Sequence, residues 1–399
     1  MSMRLTPEEQ DMLDGKLGKS VQKSMEILTT LGEIFDAGCM VDVYSVQVAG
    51  VSYANLGEAG LEFLNEMAKD GNVKVLTTLN PAGMDRENWQ ALGIDEEFAK
   101  NQIRVIDTFA KMGVITTCSC TPYFIGNIPH FGQHIAWAES SAVCYANSVI
   151  GARTNREGGP SALASALTGR TPKYGYHLDE NRYGQVSMKV NAQVRGTDEF
   201  GILGKTIGDK LIKLGKNIPF ITGIPSATVE ELKSFCASIA TYGGTALFHM
   251  EDITPEFHRY PKPSGNVYEI NQEELEKARF ELVDDNLEVD FVSVGCPHAS
   301  INEIEKIASL LKGKKVKREF WITTARPIKR IADEAGYSKI IEDAGAKFAA
   351  DTCCVVAPIE GRFKGMIVDS AKACYYGRAK NKFKVRIGTL EECVMEATK

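Results

Sequence analysis

Short β-branched runs and longer stretches with apolar residues three or four apart succeed one another along most of the chain. The opening Thr6-Pro7-Glu8-Glu9 predicts a helix start, with a hydroxyl cap, proline in the first turn and acids that suit the helix dipole. A second amphipathic helix is expected over residues 18–36, "GKSVQKSMEILTTLGEIFD". Next come "MVDVYSVQVAG", "EAGLEFLNEMAKD", "NVKVLTTLNPAG", a helical pattern near 95–112, and "GVITTCSC". Strand, helix, strand, helix, strand is the order of crossover units in a parallel sheet, so the fold class is α/β.

Residues 139–185 break this rhythm with a glycine-rich, polar segment, which inside a folded chain reads as a site more often than a linker. A middle lobe follows: strand 187–195, helix 201–214, "IPFITG", helix 228–241 and "GTALFHM". The Pro- and Gly-rich stretch "EDITPEFHRYPKPSGNVYEI" reads as a connector. The last lobe contains "EVDFVSVGC", a helix from Ser300 with Glu303 completing a capping box, "REFWITTA", a helix from Pro327, and "AKFAADTCC". The expected lobes are residues 1–186, 187–270 and 271–399.

Charge and termini narrow the function. Forty-six basic and 52 acidic residues leave a formal charge of −6, and the one basic run, "KGKKVKR" at 312–318, reads as a solvated helix end, so nucleic acid is not an expected partner. The N-terminal "MSMRLTPEEQDML" has no apolar core of a signal peptide, and no window approaches the ~18 apolar residues of a membrane span. A cytosolic protein is expected. Ten cysteines in that compartment imply free or metal-bound thiols, not a disulfide framework.

Three cysteines share one address. Cys120, Cys296 and Cys353 each lie just beyond the carboxyl end of an expected strand, the edge where ligands bind in open α/β sheets. Three thiols converging there could hold three irons of a cubane cluster and leave a fourth open to substrate. The competing reading is that cysteines, being commonly buried, fall at strand ends by chance. No C-x-x-C spacing supports zinc or a ferredoxin-type site. If residues 116–120 stay extended, Cys118 and Cys120 point to one side about 6.6 Å apart at the usual ~3.3 Å rise. Thr121-Pro122 then ends the strand, leaving Cys120 at the rim and Cys118 a step deeper, a packing thiol.

Other motifs carry less. "GILGKT" lacks the first glycine of a P-loop, because Glu199 stands there. "GVSYA" fails as a nucleophile elbow at Ala54 and reads instead as a helix start offering backbone N–H groups and the Ser52 hydroxyl to an anion. His130 and His134 have metal-pair spacing, but Pro129 and Gly132 disfavour the helix that would present it. Cys296 and His298 would make an activated thiolate only if the ring folded back across Pro297.

The segments "VQVAGVSYANLGEAG", "TTLNPAG", "CTPY", "ESSAVCYANSVIGARTNREGGPSALA", "GRTPKYGYHLDENR", "GCPH", "ADTC" and "DSAKACYY" together resemble the large, catalytic subunit of the aconitase X family, the phosphomevalonate dehydratase large-subunit-like hydro-lyases. The resemblance spans essentially the whole chain. It implies an aconitase-like fold of several parallel-sheet α/β lobes around a cluster cleft, without the swivelling domain. It also implies an iron–sulfur cluster on Cys120, Cys296 and Cys353, with the 4Fe–4S form, its 3Fe–4S form and 2Fe–2S all open. The substrate positions it implies are Gly50, Val51, Ser52, Asn80, Pro81, Asn147, Ser148, Ser370 and Lys372, of which Ser52, Asn147, Ser148 and Lys372 are the catalytic candidates. Arg153 is a further candidate, since its guanidinium matches a carboxylate or phosphate in two-pronged fashion.

The reaction implied is loss of water from a small hydroxy acid, with an open iron as Lewis acid, and the chain keeps the forms typical of the two-subunit enzymes acting on mevalonate 5-phosphate. The product would be anhydromevalonate phosphate. Ser119, where threonine is common, and Asp369, where asparagine is usual, depart from that pattern and leave cis-3-hydroxy-L-proline dehydration as an alternative. The base in aconitase-like enzymes sits on a swivelling domain that this chain lacks, so a separate small subunit is expected to supply it. From other classes, a non-catalytic metal–thiolate scaffold and a thiol hydrolase using Cys296 and His298 compete.

Overall fold

Thr6 caps the helix Pro7–Leu13 with a reciprocal box: its hydroxyl accepts from the Glu9 amide at 3.3 Å and its own amide donates to the Glu9 carboxylate at 2.8 Å. The helix Lys19–Ile34 follows, burying Val21, Met25 and Leu28 on one face. The computed structural model describes residues 3–399, and in it the rest of the chain forms three parallel sheets and one short antiparallel pair.

In the first sheet Ser45–Val48 lies between Leu76–Leu79 and Ala136–Trp137, all parallel, with the helices Tyr53–Met67 and Glu96–Lys111 among the connections. The stretch "GVITTCSC" does not continue as a strand. Only Ile115 bridges to Thr78, and Cys118 takes a φ of 47°. A left-handed residue turns the chain, so the extended geometry that would aim Cys118 and Cys120 the same way is absent.

The second sheet runs His249–Met250, Pro219–Thr222, Val186–Val190, Val267–Ile270. Its last strand lies inside the stretch expected to be a plain connector. The reason is its edge position: only Ile270 of the four residues is buried, and Val267 is 56% exposed, so no apolar run announces it. "GILGKT" falls within the helix Gly196–Leu214, not in a phosphate loop. Its glycines serve close packing on the helix Val229–Gly243, because a Cβ at Gly204 would sit 2.9 Å from the Phe235 carbonyl oxygen.

The third sheet has five parallel strands in the order Lys347–Ala350, Glu319–Thr324, Phe291–Ala299, Gly365–Val368, Lys384–Ile387. The Ser300–Glu303 capping box forms, at 2.8 and 3.3 Å, and Pro327 sits in the first turn of Arg326–Glu334. One buried cluster containing Trp137, Phe200, Phe248, Phe291 and Trp321 draws on all three sheets and their helices, so the lobes share a core. The first and third are also stitched by polar contacts: the Ala82 amide donates to the Asp351 carbonyl at 2.9 Å, and Arg326 reaches Asp85 at 2.5 Å and Asp351 at 2.6 Å. Among the described residues no helix is long and apolar enough to cross a membrane.

Candidate functional site

The carboxyl edge of the first sheet supplies three segments: Gly50-Val51-Ser52 after Ser45–Val48, Asn80-Pro81 after Leu76–Leu79, and Glu139 after Ala136–Trp137. Gln102, buried on the helix Glu96–Lys111, holds the first two together. Its amide nitrogen donates to the Val51 carbonyl at 2.9 Å, and its carbonyl accepts from the Tyr53 and Gly83 amides at 3.0 and 2.9 Å. One of the N–H groups expected to face an anion is thereby spent, and the helix from Tyr53 is interrupted at Gly57, whose φ is 60°.

Cys120 reaches the same edge because the Ser119 amide donates to the Leu79 carbonyl at 2.9 Å. Cys296 arrives from the third sheet through a bulge. The pairing of Phe291–Ala299 with Glu319–Thr324 shifts register between Val294 and Ala299, throwing the intervening residues out of the ladder. Gly295 makes this possible: its φ is 91°, and a Cβ there would lie 2.2 Å from the Thr323 carbonyl oxygen. Cys353 follows Lys347–Ala350.

The structure brings these three thiols together. Burial pushes the Cys120 thiol up, with Glu139 and Cys353 adding to the effect and Lys372 and the His298 amide opposing it. Cys296 is pushed up to about 12, first by burial, against Lys372 and a hydrogen bond from Ser370. Cys353 is also raised by burial, against the Val355 and Val356 amides, Lys372 and Lys380. Each sulfur thus has its own N–H or O–H donor and all three feel the Lys372 ammonium, a surrounding that favours thiolates once a cation binds. Cys118 belongs elsewhere: it is fully buried beside Arg86, Arg326 and Asp351.

Lys372 is held by Glu139, which the sequence reading did not single out. The ammonium lies 2.6 Å from Oε1, the Asn80 amide nitrogen donates to Oε2 at 2.8 Å, and the Ser141 hydroxyl donates to Oε1 at 2.9 Å. Burial opposes ionisation of Glu139, yet Lys372, Asn80 and Ser141 bring its carboxyl down to about 2. Burial likewise works against the Lys372 ammonium, but Glu139 keeps its affinity for the proton above the usual lysine value. A depressed carboxyl contributes stability above its ordinary value of 4.5 and loses it as pH falls towards 2. The Asn80 side-chain oxygen is buried without a hydrogen-bond partner.

Other expected site residues stand differently. Ser52 donates to the Val356 carbonyl at 3.4 Å, and Ser370 caps the helix Ala371–Ala379 by accepting from the Ala373 amide at 3.2 Å while bonding the Cys296 sulfur. Asn147 is fully buried and all four of its side-chain hydrogen bonds are used, to Thr154 twice, Ala246 and Arg182. Ser148 accepts from the Phe248 amide at 2.9 Å. None of the Asn147 or Ser148 bonds reaches the thiols, Asn80 or Lys372. Arg153 lies beside His134, at the amino end of Ala136–Trp137 and so at the opposite edge of the sheet, and its guanidinium is taken by Asp179 at 2.5 Å.

Asp369, where asparagine is usual beside Ser370, is buried and accepts a long hydrogen bond from the Gly295 amide at 3.4 Å. Burial, with Glu303 nearby and Lys233 opposing, pushes it up to about 7. A carboxyl raised in the folded state favours folding less as pH climbs from its unfolded value through 7. Asp369→Asn is therefore expected to raise the melting temperature at pH 8, by at most about 4 kcal/mol of stability, and to leave it unchanged at pH 3. Differential scanning calorimetry at the two values checks this.

His298 does not activate Cys296. Both ring nitrogens are occupied, by the Ser119 hydroxyl at 3.2 Å and the Thr352 carbonyl at 2.9 Å, and burial holds the ring down at about 4, hence neutral. The thiol-hydrolase reading loses its base. Among the described residues no three His, Cys, Asp or Glu side chains converge so as to chelate one ion.

An α/β protein with thiols, an ammonium and orphaned amide oxygen gathered where two sheet edges face one another is the class that fold and site define. Models of the aconitase X first, second and third domains match residues 2–180, 184–281 and 289–399. The chain belongs to the aconitase X family. It is 46% identical to the phosphomevalonate dehydratase large subunit of Methanocaldococcus jannaschii, over 98% of this chain and 99% of that one. To the cis-3-hydroxy-L-proline dehydratase of Hypocrea jecorina it is 31% identical, covering 99% of this chain but 68% of that one. The crystal structure of Thermococcus kodakaraensis aconitase X in its holo-form matches with a TM-score of 0.92 at 42% identity, over 99% of this chain and 100% of that one.

Proposed function

We propose that this chain is the large subunit of a cytosolic iron–sulfur dehydratase that removes water from mevalonate 5-phosphate to give anhydromevalonate phosphate. The observation that carries the reading is the set of three thiols, each with its own hydrogen-bond donor, around the Lys372–Glu139 pair. The names of the relatives over nearly their full length support the substrate.

Cys120, Cys296 and Cys353 would hold the cluster, which when bound supplies a Lewis acid for the departing hydroxyl. Lys372, kept cationic by Glu139, stabilises negative charge that develops on the substrate carboxylate as the neighbouring carbon loses its proton. The free acceptor of Asn80 takes a substrate hydroxyl, and the Gly50–Ser52 turn offers amides to an anionic group. Water is kept out by the burial of Val51, Ser52, Asn80, Ser370 and Lys372.

The proton acceptor comes from a separate small subunit. The bases around the thiols are occupied: Glu139 carries three partners, and His298 is spent on Ser119 and Thr352. Anaerobic co-expression with the small subunit, followed by a water-loss assay on mevalonate 5-phosphate and cis-3-hydroxy-L-proline side by side, tests the proposal. Turnover of the first substrate only by the pair is expected. Full-rate turnover by the large chain alone would remove the small subunit from the mechanism, and preference for the proline would reverse the substrate assignment.

A further inference from the structure

His298 is fully enclosed, and its four polar atoms meet partners on three segments. Its backbone N–H donates to the Cys120 sulfur at 3.3 Å. Ring Nε2 lies 2.9 Å from the Thr352 carbonyl oxygen and ring Nδ1 lies 3.2 Å from the Ser119 hydroxyl. A carbonyl only accepts, so Nε2 carries the proton and Nδ1 accepts from Ser119. The carbonyl of His298 accepts from the buried Lys233 ammonium at 3.0 Å, and Lys233 is anchored in turn by Glu303 at 2.5 Å.

The partners are not arbitrary. Ser119 precedes Cys120, Thr352 precedes Cys353, and His298 itself stands two residues after Cys296. One imidazole therefore joins the segments bearing all three thiols, although those segments come from two sheets and are separated by 54 and 179 residues from His298 at the ring contacts. A buried histidine with a merely structural role would be satisfied by any donor and acceptor. Here both ring partners adjoin a thiol, and the residue's own amide donates to one of those thiols, Cys120.

We infer that His298 is a positioning residue that locks the three cysteine segments into a single sulfur frame and so governs how firmly an iron–sulfur cluster is retained. The inference rests on the reading that these thiols hold such a cluster. Ligands fixed before binding lose little freedom on closing around a metal, and partners behind the ligands typically change metal retention by about 10- to 100-fold. With one segment released, its thiolate would no longer be held in the frame, and a bound cluster would be more open to oxygen.

The experiment reconstitutes the full chain anaerobically with ferrous iron and sulfide. It measures iron per chain after gel filtration, the half-time of bleaching of the visible absorbance in air, and the melting temperature of the metal-free protein. His298→Ala is expected to lower iron retention by ~10-fold or more and to shorten the bleaching half-time comparably. His298→Gln, whose amide nitrogen can still donate to the Thr352 carbonyl, restores part of both. Ser119→Ala, which removes one ring contact and the hydroxyl's bonds to Thr121, bleaches faster than wild type. Wild-type chain that takes up no iron would overturn the cluster reading and this inference with it. Wild-type loading with equal iron and equal bleaching in His298→Ala would overturn the inference alone. If His298→Ala fails to fold, Ser119→Ala decides, and wild-type bleaching in that variant overturns the proposal.

Discussion

Lys372→Ala is expected to lower kcat/KM for water loss by ~100- to 1,000-fold, the usual cost of deleting one preorganised charge at a developing anion. The side chain is buried, 2.6 Å from Glu139, and electrostatically joined to Cys120 and Cys296, so the loss removes the one ammonium that all three thiols and the carboxylate share. Glu139→Gln separates charge from position. Lysine remains, but its counter-ion is gone and burial is opposed only by the Cys120 and Cys296 sulfurs, so its proton is released at lower pH. That variant is expected to show kcat/KM down by about 100-fold together with an alkaline limb that the wild type lacks below pH 10. A pH–rate profile of both variants distinguishes the roles: an unchanged alkaline limb in Glu139→Gln would show that the carboxylate does not sustain the ammonium. Lys372→Arg should rescue poorly, because a planar fork does not fill the place of a compact point charge.

Arg326→Ala is expected to destabilise the chain by roughly 3–5 kcal/mol, because it leaves buried carboxylates without their cation. The guanidinium meets Asp85 at 2.5 Å, Asp351 at 2.6 Å and Glu87 at 3.0 Å, and Asp85 and Asp351 are both fully enclosed. Arg86, 3.1 Å from Asp351, compensates only in part. Asp351 stands two residues before Cys353 and has a φ of 66°, so the network also fixes the path of a thiol-bearing segment. Chemical denaturation of the metal-free chain measures the cost. A loss below about 1 kcal/mol would mean that Asp85 and Asp351 recover their hydration, as surface pairs do.

Where local chemistry decides, the amino-acid pattern was sufficient. Thr6, Ser300 and Pro327 mark helix starts because their caps depend on residues within one turn. The rule that ligands gather at carboxyl edges of parallel sheets singled out Cys120, Cys296 and Cys353, and the fold brings all three to one place. The separation of Cys118 from Cys120 was anticipated, but its cause was not. Thr121-Pro122 does open a short turn, Pro122–Phe124, yet it is the left-handed backbone at Cys118 that sends the two sulfurs apart.

What stayed hidden is non-local. Glu139 sits among serines and small residues like any helix cap, and its meaning comes from a lysine 233 positions away. Gln102 reads as one more polar residue of an amphipathic helix until the turns at Val51 and Gly83 close over it. Val267–Ile270 and Lys384–Ile387 are strands with half their residues turned to water, too short and too mixed for a period to show. Arg153 carried the right chemistry for an anion, but the same chemistry is satisfied by Asp179 at the wrong edge of the sheet.

An iron–sulfur cluster at this edge is expected on Cys120, Cys296 and Cys353 and on no other thiol. The most direct measurement is iron content and visible absorbance after anaerobic reconstitution of Cys120→Ala beside Cys118→Ala. Expected are a brown wild type, a Cys118→Ala variant with the same iron and absorbance, and a Cys120→Ala variant that has lost the intact cluster's signature. A colourless wild type, or a cluster that survives in Cys120→Ala and vanishes in Cys118→Ala, would contradict that expectation.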